Sequence, residues 1–190
     1  MRPFLLPCVL TALALVAASR PPVRYDLRSE SRFWIDGSST AGSYTCTAAR
    51  VDGTGLVDGT DRTQVSGQVT VPVRAFDCGQ RRMNNDFAKA LKSGTHPVIR
   101  FEVQSAQVAG PGASGWTRAT ATGSLEIGGV VRPITVDVDG QTLPDGRVRL
   151  RGRMPLRMTD FGVQPPTALL GLVRAHNRIV VRFDLIAAHE

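Results

Sequence analysis

Apolar and polar residues alternate with a period of two along most of the chain after residue 25, the pattern of strands with one buried and one solvated face. The sharpest run is Arg147 to Met158. There Val148, Leu150, Gly152, Met154, Leu156 and Met158 share one parity, and Arg147, Arg149, Arg151, Arg153 and Arg157 share the other. Ser66 to Phe76, Val98 to Val108 and Arg178 to Ala188 alternate in the same way. Nearer the start, Tyr25 to Ser29 leads into Ser31 to Asp36. A turn-rich stretch, Gly37 to Gly42, then precedes a returning strand from Ser43 to Ala48. Asp52 to Arg62 is rich in Gly, Asp and Thr and is expected to be an exposed loop.

Two more alternating runs, Trp116 to Ile127 and Val130 to Val138, flank Gly128-Gly129. A Gly-Gly pair accepts the positive φ angles of a tight primed turn. A two-residue loop sets the register: Ile127 opposes Val130, Leu125 opposes Arg132, Gly123 opposes Ile134 and Ala121 opposes Val136. Glu126, Ser124, Thr122 and Thr120 then meet Val131, Pro133, Thr135 and Asp137 on the other face. Pro133 cannot donate a ladder hydrogen bond, so it should face away from a partner strand or lie at a sheet end. One segment reads as helix. Asn84 or Asn85 can cap it, Asp86 suits its positive end, and Phe87, Ala90 and Leu91 recur at helical spacing. Lys89 and Lys92 favour its far end, and Gly94 should stop it.

Eight or nine long strands in sequence, with one short helix, predict an all-β fold: a single antiparallel eight-stranded barrel, whose closure removes exposed edges. Such a barrel holds either its own packed side chains or one small ligand. The inward set is Ile99, Phe101, Val103, Leu125, Ile127, Ile134, Val136, Leu150, Met154, Leu156, Val181 and Phe183. Ala119, Ala121, Gly123 and Gly152 share that parity and leave volume for larger neighbours or for a ligand. Both outcomes stay open at this level.

The first residues change the picture of compartment. Arg2, the apolar run Val9 to Ala18 and the small residues at Val16-Ala-Ala18 or Ala17-Ala-Ser19 form a secretory leader, so residues 1–19 are set aside as a signal peptide and 20–190 as one barrel domain. The apolar run is too short to span a bilayer, and Cys8 follows Pro7 rather than a small residue, unlike a lipid-attachment cysteine. A periplasmic or secreted protein is expected. At 190 residues and 20.4 kDa the chain suits a single core. Its formal charge is +7. Loss of the leader removes Arg2 and no acid, which leaves 22 bases against 16 acids, or +6. That surplus suits an anionic lipid surface or simple solubility, whereas a nucleic-acid partner fits an exported chain poorly. Cleavage leaves Cys46 and Cys78. In an oxidising compartment the two are expected to pair, the alternative being two partly buried thiols.

Gly123-Ser-Leu-Glu-Ile-Gly-Gly-Val-Val-Arg-Pro-Ile-Thr-Val-Asp137 resembles the pattern G-x-L-x-I-x-G-V-x-(Lys/Arg)-P-(Val/Ile)-x-(Leu/Val)-D of the YceI-like family. Arg82 to Phe87, Ala90-Leu91 and Thr95 to Phe101 are similar to a second segment of that family, and Arg157-Met-Thr-Asp-Phe-Gly162 to a late turn. Cys46 and Asp77-Cys-Gly79 have no place in the plain pattern. The early histidine-bearing strand of the family is here Trp34 to Ser39. The resemblance implies a lipocalin-like barrel that binds an isoprenoid lipid, a quinone or polyprenyl type, with no required cofactor. On that reading the twelve inward residues would contact an apolar lipid ligand, and contact with a membrane surface would follow.

Catalytic and metal chemistry find little support. His96, His176 and His189 have no metal-ligand spacing. Asp160-Phe-Gly162 lacks the other parts of a kinase, and no serine sits in a G-x-S-x-G elbow. Asp36, Asp77 and Asp86 are scattered, so no acid/base pair emerges. The expectation is a binding protein, not an enzyme. The competing reading is a secreted interaction module with a solid barrel, using the loop 52–62, the segment 159–177 or the arginine row as its contact.

Overall fold

The chain runs up and down without crossovers. A computed structural model describes residues 20–60, 64–111 and 115–189, so the expected leader lies outside the described residues. The strands are β1 (Val23–Leu27), β2 (Arg32–Ser39), β3 (Gly42–Ala48), β4 (Asp52–Val57), β5 (Val65–Pro72), β6 (Phe76–Asp77), β7 (Val98–Pro111), β8 (Thr117–Ile127), β9 (Val130–Thr142), β10 (Val148–Arg157), β11 (Thr167–Ala168) and β12 (Val173–His189). Helix α1 covers Arg81–Ala90.

Three ribbons of the barrel are bent. β1 and β2 follow one another along β12, which pairs with β2 over 175–184 and with β1 over 187–189. β3 pairs with β2, and its continuation β4 pairs with β1. β5 then pairs with β4, and after the short turn Val73–Ala75 the two-residue β6 pairs with β3. With β7, β8, β9, β10 and β12 this makes a closed antiparallel barrel of eight ribbons, sealed where β12 meets both β10 and β1. Closure satisfies the edge hydrogen bonds that an open sheet would expose.

The hairpin register follows the alternation. Ile127 opposes Val130, Leu125 opposes Arg132, Gly123 opposes Ile134 and Ala121 opposes Val136, with positive φ at Gly128 and Gly129. β10 pairs with β9 only from Val138 to Thr142, so Pro133 lies on a stretch with β8 as its single neighbour. Gly123 and Gly152 serve a packing need. A Cβ on Gly123 would run into the carbonyl of Glu102 and the ring of Phe101, and one on Gly152 into the ring of Phe183. The space they leave is therefore taken by aromatic neighbours. Gly123→Ala is expected to lower stability by about 1–3 kcal/mol. An unchanged denaturant midpoint would show that β7 and β8 can move apart freely.

Several expectations need correcting. Asp52 to Val57 is strand β4 rather than part of an exposed loop. Its glycines, which signalled a loop, allow backbones to approach: Gly55 pairs with Gly67, and a Cβ on Gly67 would lie 2.6 Å from the Thr54 carbonyl. The run Ser66 to Phe76 breaks at the turn Val73–Ala75. α1 starts after Gln80, not at Asn84 or Asn85, because Asn84 is occupied elsewhere. Its side-chain oxygen accepts from the Cys78 N–H at 2.7 Å and its amide donates to Asp77 at 3.1 Å. The left-handed residue that ends the helix is Lys92, not Gly94.

Cys46 and Cys78 form a disulfide across 32 residues. It joins β3 to the turn that feeds α1, where the β3–β6 ladder contributes only two paired residues. Phe76 meets Phe33 edge-on and Phe87 at a tilt, with ring centroids 6.0 and 4.9 Å apart. Covalent and apolar contacts together hold α1 against the barrel end.

Ion pairs lie along the outer wall. Arg149 and Asp184 pair across β10 and β12, Arg147 bridges Glu30 and Asp145, and Arg24 binds Asp26. The Arg149 guanidinium holds the Asp184 carboxyl below the usual carboxylate range, Arg24 does the same for Asp26, and the Asn84 amide for Asp77. Carboxyls depressed in the fold stabilise it above their unfolded pKa and lose that contribution as pH falls through the folded values. The unfolding midpoint should hold between pH 8 and 5 and decline below about pH 4. A midpoint flat to pH 3 would contradict this.

Candidate functional site

The inward faces of the ribbons do not meet in the middle. They enclose a cavity of about 900 Å³, near the upper end of the roughly 300–1,000 Å³ common for small-molecule sites. Alternation in a tilted barrel sends every second side chain inward, so one parity set supplies the lining. All twelve residues of the expected inward set lie along this one cavity, together with Ala119 and Ala121. Leu125, Ile127, Ile99, Val136 and Val181 are buried there.

Small and β-branched side chains line part of the wall. Ala106 on β7, Ala121 on β8 and Val136 on β9 lie in one row, as do Val108, Ala119 and Val138. All six line the cavity.

Sequence periodicity missed other contributors. Met83, Phe87 and Ala90 of α1, with Leu91 just after it, turn toward the cavity and close part of one end. Of these, Phe87, Ala90 and Leu91 carried the helical spacing, but what they would pack against could not be read from it. Phe161 and Val163 come from the turn after β10 and are buried against the lining. Tyr44 also contributes; its ring lies where a side chain on Gly37 would otherwise sit. Burial pushes the Tyr44 hydroxyl above its ordinary pKa, so it stays neutral at physiological pH.

The cavity reaches the surface at the α1 end, where exposed Ala41, Ser43, Arg82, Asp86, Arg157 and Thr167 are among its lining. Polar groups stand at the rim and apolar side chains inside. An apolar body can enter such a space, with burial stabilising it by roughly 0.8 kcal/mol per methylene. Among the described residues no three His, Cys, Asp or Glu side chains gather as a metal site. The histidines are spread out. His96 packs on Gly129, His176 lies 2.9 Å from the Ser38 hydroxyl, and His189 stacks edge-on against Tyr25.

A closed eight-ribbon meander around an apolar cavity, capped by one helix, is a barrel of the lipocalin-like class. The chain belongs to the YceI-like family: the model of the YceI-like domain matches residues 27–187. Solved structures repeat the fold. BcnA of Burkholderia cenocepacia superposes with a TM-score of 0.69 at 21% identity, over 84% of this chain and 97% of that one. A polyisoprenoid-binding domain from Saccharophagus degradans, implicated in plant cell wall breakdown, gives 0.69 at 14% identity, over 88% and 99%. The YceI protein of Campylobacter jejuni gives 0.57 at 16% identity, over 76% and 84%. No curated protein matches the sequence. At these identities the solved structures speak for the fold alone.

Proposed function

We propose that this protein is an exported carrier that holds a long isoprenoid lipid, of quinone or polyprenyl type, inside its barrel for transport, storage or sequestration. The observation that carries the reading is the cavity of about 900 Å³ with a mostly apolar lining. The Saccharophagus degradans neighbour, described as polyisoprenoid-binding, points to the same ligand class. The expected leader and the Cys46–Cys78 bridge support export, because such bridges persist in oxidising compartments. The protein acts as a binding protein rather than an enzyme, and its twelve inward residues are the lipid contacts. Reaching such a lipid requires contact with a membrane surface.

An interaction module built on a solid barrel fits less well, because the interior is open and residues 52–57 are committed to the barrel wall. Organic extraction of protein purified from its native envelope, followed by mass spectrometry, should release about one apolar molecule per chain. Protein that yields no such molecule, and that fails to take up a long-chain quinone in titration, would overturn the carrier reading.

A further inference from the structure

The arginine row on β10 divides into two halves. Arg147, Arg149 and Arg151 each meet a carboxylate, and Arg151 also stacks over Trp116 at 3.7 Å. Toward the cavity rim the pairing stops. Arg157 lies directly opposite Arg178 on β12, and neither has a carboxylate partner among the described residues. Like charges facing one another across a ladder are destabilising. Asp160 is the acid of the same segment; its carbonyl, not its carboxylate, takes the hydrogen bond from Arg132.

In the segment between Arg157 and Arg178 lies the most exposed apolar group of the described surface. Leu170 is fully exposed and Leu172 is 80% exposed. Leu170 also adopts a left-handed backbone, φ 56° and ψ 33°, which a branched side chain rarely takes. The tip is anchored rather than loose. Thr167 pairs with Arg174, the Leu172 carbonyl accepts from the Thr40 hydroxyl at 3.3 Å, and the Gly171 carbonyl accepts from Arg174 at 3.2 Å. Its flanking residues Pro166, Thr167, Val173 and Ala175 line the cavity.

We infer that this rim is a docking surface for an anionic lipid bilayer, with Leu170 and Leu172 entering the interface and Arg157, Arg174 and Arg178 meeting the headgroups. Exposed apolar side chains and cations without carboxylate partners are the two features that surface binding requires, and the charge complements an anionic leaflet. The inference rests on the carrier reading and names where the lipid would enter: beside the tip, straight into the barrel.

Vesicle flotation tests it. The purified protein should float with vesicles of phosphatidylglycerol and phosphatidylcholine, and at least about tenfold less with phosphatidylcholine alone or in 1 M salt. L170S/L172S and R157Q/R178Q should each lower flotation at least about tenfold. Both variants change exposed side chains, so neither should melt below the wild type, and R157Q/R178Q, which removes a repulsion, should melt at the same temperature or higher. Wild-type protein that ignores anionic vesicles, or variants that float as well as wild type, would overturn the docking surface. A dimer in analytical ultracentrifugation that L170S/L172S dissolves would assign the tip to a second copy and overturn it too. Lipid extraction separates the two ideas: protein that carries lipid but does not float loses only the docking surface. Protein that floats but carries no lipid keeps it.

Discussion

An Ala121→Phe variant is expected to fold normally and to lose its lipid. Ala121 is buried at the centre of the small-residue row, between Ala106 and Val136, with the cavity in front of it. A phenyl ring there has open volume to enter, so the strain of overpacking a filled core should be small. The ring would occupy the space an isoprenoid chain needs. Apparent affinity for a long-chain quinone, or extractable lipid per chain, should fall at least tenfold, which is about 1.4 kcal/mol or more. Ala48 provides the contrast. It is also buried, but it is wedged between Phe33 and Phe76 on the neighbouring ribbons and does not line the cavity. Ala48→Phe should cost about 1–3 kcal/mol of stability. If Ala121→Phe retains full lipid content, the ligand does not use this part of the barrel.

Removing the disulfide should produce the largest change in stability. The bridge closes a segment of 32 residues, and the chain-entropy argument for a loop of that size gives about 3–4 kcal/mol. For a domain of this length that corresponds to a fall in melting temperature of roughly 10 °C. The double variant Cys46→Ala/Cys78→Ala avoids leaving a reactive thiol. Loosening should appear first around α1, because β6 holds the junction by only two ladder residues once the bridge is gone. Hydrogen exchange should therefore quicken in residues 76–91 before it does in β8 and β9. A chemical denaturation midpoint equal to that of the wild type would refute the prediction.

Much of the fold was legible because a strand has a period of two and a barrel has two faces. The β8–β9 register followed from Gly128-Gly129 alone, since a two-residue loop allows one pairing. The inward parity set likewise fell along one cavity. The failures share a cause. Glycine carries no side-chain signal, so Gly53 and Gly55 read as loop residues, although Gly53 lies too close to Leu27 of β1 and the Gln68 carbonyl of β5 to admit a Cβ. Asn84 looked like a helix cap because Asn is good at that task, but a partner six residues upstream held it more firmly. The contribution of α1 to the cavity was hidden for a related reason: helical spacing defines an apolar face without naming what that face covers.

The strand faces, the tight hairpin, the all-β class, the pair of cysteines available to bond and the surplus of arginine can all be read from the order of residues. Those properties are local, set by side-chain parity, turn chemistry and composition. Whether the inward faces interlock or stand apart, which arginines find a carboxylate, and how exposed Leu170 and Leu172 are, became visible in the folded barrel. Each of these depends on distances between ribbons far apart in the chain, and those distances are set by the closure of the whole barrel.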